Sequence, residues 1–150
     1  MTEQQSEVLN LLQSYLKEEF GQVNRVENNG VIYLQFTPSV FLNETGLVFM
    51  EICLLSYSNE LDIAQIYSTM IPKSRPHMDA LREKLGQWNL ASLVGAYGIY
   101  EKLGQLYHKH NIALINDAAA DDQADFIFYN VCLALEEMAR HLEEALHITM

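Results

Sequence analysis

Apolar residues recur along this chain with two periods, and the switches between them mark its elements. From Ser6 to Phe20 the spacing is helical: Val8, Leu11, Leu12, Tyr15 and Leu16 fall at i, i+3, i+4, i+7 and i+8, and Leu9 widens the stripe. Thr2 with Gln5 suits a capping box, and Ser6 competes as the cap. Gly21 ends the helix where a left-handed conformation is needed. Two strands are then expected, Val23–Glu27 and Val31–Phe36, folded back on each other at Asn28-Asn29-Gly30. After Thr37-Pro38-Ser39, the connection from Val40 to Thr45 carries Val40, Phe41 and Leu42 with no periodic partner. The run Leu47 to Leu55 is almost continuously apolar, as in a central strand covered on both faces. Leu61 to Met70 is a mixed strand that Pro72 ends, and Pro76 opens a helix whose Met78, Leu81, Leu85 and Trp88 share one side.

Residues 90 to 115 admit two readings. Leu90, Leu93, Val94, Tyr97 and Tyr100 fit helical spacing. Gly95, Gly98 and Gly104 oppose it, since glycine inside a helix costs ~1 kcal/mol relative to alanine. Tyrosine and β-branched content with a glycine turn predicts a hairpin over 95–115. The last helix is expected from Ala120 to His147, with Phe128, Val131, Cys132, Leu135, Met138, Leu142 and Ala145 on one side. Glu136, Glu137, Arg140, Glu143 and Glu144 are assigned to its solvated side, and Phe126 and Tyr129 predict fuller burial of its first half.

The pattern therefore predicts one α+β domain over residues 1–150, an antiparallel sheet with helices on one face, in the order α-β-β-β-β-α-β-β-α. A chain of 150 residues with 49% apolar content can build that core. Its net charge of −11 disfavours nucleic acid and anionic membranes and leaves basic or amphipathic proteins as partners. Cys53 and Cys132 sit in apolar runs without CxxC spacing, as in buried thiols of a reducing compartment. Met1-Thr2-Glu3-Gln4-Gln5 carries no basic residue and no long apolar run, so neither a secretory signal nor a membrane span is expected, and the localisation expected is cytoplasmic.

Candidate chemistry is sparse. His108 and His110 lie two apart on one strand and face one way, but no third metal ligand is identifiable, and two exposed histidines are expected. Glu144-Ala145-Leu146-His147 has a di-iron spacing without the second motif such a site needs. The pairs Glu18-Glu19, Asp121-Asp122, Glu136-Glu137 and Glu143-Glu144 are adjacent, about 100° apart on a helix, and read as solvated faces rather than acid/base pairs. No phosphate loop, nucleophile elbow or activated cysteine is present. No catalytic residue, metal or cofactor is expected.

Asn89, Gly95, Tyr97, Gly104, Leu106 and Tyr107 follow a helix ending in Asn, a link to Gly, an aromatic strand, a Gly turn and a second strand. In this, in its order of elements and in its acidity, the chain resembles the YbjN family, which shares the fold of the CesT-type type III secretion chaperones. The first half matches only in strand order and in Pro72. The resemblance implies a homodimer without enzymatic activity that binds another protein, chaperone- or regulator-like. It implies a dimer helix at Pro76–Trp88 with Leu81, Leu85 and Trp88 in contact, although the same stripe also fits the domain's own core. The expected partner surface is Val40, Phe41 and Leu42 with the first helix, at Leu12 and Tyr15. The other reading is a small-molecule sensor or enzyme with a pocket between sheet and last helix, lined by Tyr97, Tyr107, Phe126 and Tyr129, whose signature is a buried polar residue such as His108.

Overall fold

A computed structural model describes residues 1–38 and 48–149. Helix α1 spans Glu3–Phe20, and the Thr2/Gln5 capping box, not Ser6, starts it. Strands β1 (Val23–Asn28) and β2 (Val31–Phe36) meet at Asn29 and Gly30, whose φ angles of 52° and 79° are the pair that a tight hairpin with this twist requires. Strands β3 (Phe49–Ser56) and β4 (Leu61–Ile71) follow. Pro76 lies in a short 3-10 turn, Arg75–His77, and helix α2 proper is Met78–Ala91. Then come β5 (Ala96–Tyr100), β6 (Gln105–Ile115) and α3 (Ala120–Thr149). This is the expected α+β order, with the glycine-rich region folded as a hairpin. Val40, Phe41 and Leu42 lie outside the described residues.

The six strands form one antiparallel sheet in the order β1-β2-β3-β4-β6-β5. Side chains alternate between its faces. One set, including Leu34, Phe36, Met50, Ile52, Ala64, Ile66, Leu106, Ile112 and Leu114, is buried beneath the helices. There it meets Val8, Leu9, Leu12 and Leu16 of α1 and Ile127, Val131, Met138 and Leu142 of α3 in a single core. Each such Val, Leu, Ile, Phe or Met side chain contributes roughly 1.5–3 kcal/mol when fully buried. Phe20 stacks on Phe36 at 5.3 Å and ties the end of α1 to the sheet. Helix α2 packs on β5 and on α3 through Leu81, which is fully buried, and Trp88, which is 3% exposed. The described helices cover one face only. The near-continuous apolar run of β3 predicted cover on both, and its outward side chains, Phe49, Glu51, Cys53 and Leu55, carry no described helix.

Two glycines set the hairpin. Gly95 has φ +67°, and a side chain there would strike the Lys109 carbonyl and the His108 ring. Gly104 has φ +65°, and a Cβ would lie 2.7 Å from the Arg75 backbone nitrogen. That closeness follows from Ser74, whose hydroxyl donates to the Gly104 carbonyl at 2.6 Å and anchors the β4–α2 connection to the β5–β6 turn. Gly104→Ala therefore combines a left-handed conformation costing roughly 1–2 kcal/mol with a backbone clash. The variant is expected to lose about 2–3 kcal/mol in urea denaturation, and an unchanged midpoint would contradict this account.

Candidate functional site

The open face of the sheet is organised in rows set by strand register. One row runs Gln35, Glu51, Tyr67, Lys109, Ala96 across β2, β3, β4, β6 and β5. On one side lies Phe49, Thr69, Tyr107, Gly98; on the other lie Tyr33, Cys53, Gln65, Asn111 and then Leu55, Ile63, Ala113. Tyr67 stacks on Tyr107 at 5.0 Å and its hydroxyl donates to Gln105 Oε1 at 2.6 Å. The Tyr107 ring lies across Gly98, filling the place of a side chain. Three strand positions are acidic, and two of them, Glu27 and Asp62, fall on the helix side opposite Ile32 and Leu114. Glu51 and Lys109 are thus the charged residues of these rows, and they have opposite signs. The exposed carboxylates cluster on helices, at Glu3, Glu7, Glu18 and Glu19 of α1 and Asp121, Asp122, Asp125, Glu136 and Glu143 of α3.

A second feature is a groove of about 290 Å³ between α1 and α3. Tyr15 and Phe128 form its apolar lining, edge to face at 6.3 Å, and Glu18, Glu19 and Asp125 stand around them. Tyr15 was expected at a partner surface and is partly exposed here. Leu12, expected with it, is fully buried in the core because it lies on the side of α1 facing the sheet.

The sharpest polar chemistry is internal. Tyr97 on β5, 4% exposed, donates its hydroxyl to Glu137 Oε2 of α3 at 2.6 Å. His141 Nε2 lies 3.6 Å from the same carboxylate oxygen, and its ring stacks on Trp88 at 5.0 Å. Tyr97 meets Trp88, His108 and His141 in edge-to-face pairs. Outside this cluster the Trp88 indole donates to Glu144 at 3.3 Å, and Lys84 pairs with Glu144 at 3.0 Å. Burial first, then the bond to Glu137, push the Tyr97 phenol above its ordinary range. It stays protonated and donating. Glu137 Oε2 is occupied by that phenol, and the contact fixes α3 to the β5–β6 hairpin. Asn89 completes the clamp: its side chain donates to the Tyr97 carbonyl at 3.0 Å and accepts from the Tyr97 amide at 2.7 Å.

His108 and His110 do share a face, but it is the helix face. His108 is fully buried and bonds the Val94 carbonyl through Nε2 at 2.7 Å, and His110 meets Asn130 Oδ1 at 2.9 Å. The expectation of two exposed histidines fails because β6 alternation puts them on the side with Leu106 and Ile112. His108 Nδ1 and the hydroxyl of Ser68, its neighbour across the ladder, are buried without partners. Among the described residues no group of three His, Cys, Asp or Glu side chains could hold a metal ion. Cys53 is 2% exposed, and burial pushes its thiol up to about 11, away from reactivity; Cys132 is half-buried rather than buried.

Other expectations shift for similar reasons. Leu81 and Trp88 are spent in the domain's own core and leave only Leu85, partly exposed, of the predicted dimer stripe. The four residues expected to line one pocket do not meet. Tyr97 is inside, Tyr107 is on the opposite face of the sheet, and Phe126 and Tyr129 are 48% and 61% exposed on α3. The first half of α3 is therefore not buried all round. Glu137, assigned to a solvated face, is 4% exposed, and its adjacency to Glu136 concealed this. The tyrosine that satisfies it is 40 residues away, a pairing no local pattern reports.

Two outcomes follow. Tyr97→Phe leaves a buried carboxylate oxygen short of a donor and is expected to cost about 1–3 kcal/mol, much of it recovered in Tyr97→Phe/Glu137→Leu, where both partners go; urea midpoints measure both. Burial lowers the pKa of His108 from the ordinary 6.5. Below that value the unfolded chain binds a proton that folded His108 refuses, so stability falls as pH drops from about 6.5 towards the folded pKa. His108→Gln is expected to flatten the decline of the melting temperature between roughly pH 7 and 5, and an unchanged slope would remove His108 as its source.

Comparison with known proteins adds the fold alone. No family model and no curated protein matches the chain. Among solved structures it is similar to an uncharacterized protein from Methanothermobacter thermautotrophicus, at 14% identity and a TM-score of 0.50, over 93% of this chain and 99% of that one.

Proposed function

We propose that this protein is a non-enzymatic polypeptide-binding module, chaperone- or regulator-like, acting as an acidic homodimer in the cytoplasm. The observation that carries the reading is the groove between α1 and α3, where Tyr15 and Phe128 lie among Glu18, Glu19 and Asp125. An aromatic lining with a carboxylate rim suits a basic amphipathic segment, whose Lys or Arg stems cover the rings while their heads meet the acids. The net charge of −11 attracts such a segment and repels nucleic acid and anionic lipid. Among the described residues no helix is long and apolar enough to cross a membrane. The resemblance to the YbjN family points the same way.

The test is affinity capture from a native lysate with the wild-type chain and the Glu18→Lys/Glu19→Lys/Asp125→Lys variant, all three positions being exposed. A basic partner is expected to bind the wild type, to weaken as salt rises, and to be lost by the variant while its far-UV spectrum is unchanged. A partner held equally by both, at any salt, would refute the groove.

A further inference from the structure

We propose that two copies of this chain pack open sheet face to open sheet face, about a two-fold axis running along β4. This rests on the homodimer reading above and names its surface, which is not the α2 stripe.

The argument begins with what the open face lacks. An antiparallel sheet with one solvated face alternates apolar inward with polar outward. Here the outward positions of β4 are Leu61, Ile63, Gln65, Tyr67 and Thr69, and those of β3 include Phe49, Cys53 and Leu55. Both central strands carry apolar residues on their outward side as well, and the described helices cover the other side. The occupant of the other side must tolerate a surface with one negative and one positive group. A basic client has little reason to choose it, because most of the exposed carboxylates that would attract such a client are on the helices.

A second copy fits for a geometric reason. A two-fold interface is self-complementary, so residue i meets j and j meets i. Glu51 and Lys109 lie in one row, on the strands flanking β4 and both paired to Tyr67. They are about 9.6 Å apart, and among the described residues neither forms an ion pair. Rotation about an axis along β4 exchanges β3 with β6 and sets Glu51 of one copy over Lys109 of the other, twice. The same operation sets Phe49 over Tyr107 and Leu55 over Ala113, and brings Tyr67 and Ile63 against their own copies. An axis across the strands would instead place Glu51 over Glu51. The aligned arrangement is also the ordinary geometry for two stacked sheets, with faces about 10 Å apart. Five strands at about 4.8 Å by roughly seven residues give a projected footprint near 550 Å². With side-chain relief this reaches the ~800 Å² per partner of a stable dimer.

Sedimentation equilibrium of the full chain tests it by charge exchange. Glu51→Lys and Lys109→Glu each put like charges in contact twice and are expected to weaken the dimer by about tenfold or more. The double variant Glu51→Lys/Lys109→Glu restores it. So does an equimolar mixture of the two single variants, because each contact then pairs opposite charges in the heterodimer. Ile63→Asp gives a monomer with native far-UV dichroism. A wild type that is monomeric at micromolar concentration overturns both this proposal and the homodimer reading. A dimer indifferent to Ile63→Asp and to both charge variants keeps the homodimer and overturns this face. A dimer weakened by the single variants but not rescued by mixing overturns the β4 axis.

Discussion

The pairing of β4 with β6 is the constraint on which the molecule depends. Both strands have 11 residues, and their ladder runs from Leu61 opposite Ile115 to Ile71 opposite Leu106. Because side chains alternate, a slip of one residue would carry Leu106, His108, Ile112 and Leu114 to the outer face and bring Lys109 and Asn111 under the helices. The one irregularity in the ladder falls between Thr69 and Ile71. It lets Met70 and Ile71 both be buried where the strand leaves for α2. The strand side chains that α3 meets on β4 and β6 are placed by that register.

What the sequence discloses divides along the same line. Element order, the hairpin at Asn29-Gly30, the capping box and the glycine-directed ribbon after α2 are local, and each is legible because turn chemistry and periodicity act within a few residues. Contacts between distant elements are not. Glu137 looks like any exposed glutamate until Tyr97 is folded against it, and His108 looks like half of a metal site until β6 takes its register. Trp88 shows the intermediate case: its spacing with Leu81 identifies an apolar side of α2, and only the packing of α2 on α3 and β5 shows that the side is inward. Phe126 and Tyr129 mislead in the other direction, since aromatic content alone does not say which side of a long helix is covered.

Charge is partitioned with the layers. The helical layer presents the carboxylates to solvent, whereas the sheet's outer rows are almost neutral. A chain this acidic resists close approach of its helical sides, and its neutral face is the surface on which a second copy would meet least repulsion. The Tyr97–Glu137 cluster places a helix carboxylate inside, and the phenol held protonated beside it is what makes that placement tolerable.

Asn89 has a consequence for assembly of a different kind. Its amide occupies the outward backbone groups of Tyr97 on β5, so one border of the sheet is capped at that residue by a side chain. Growth of a ribbon by successive borders joining needs two free borders on every unit. With Tyr97 already paired, the β5 border is a poorer template than β1, and joining of that sort is disfavoured once two molecules have met at β1.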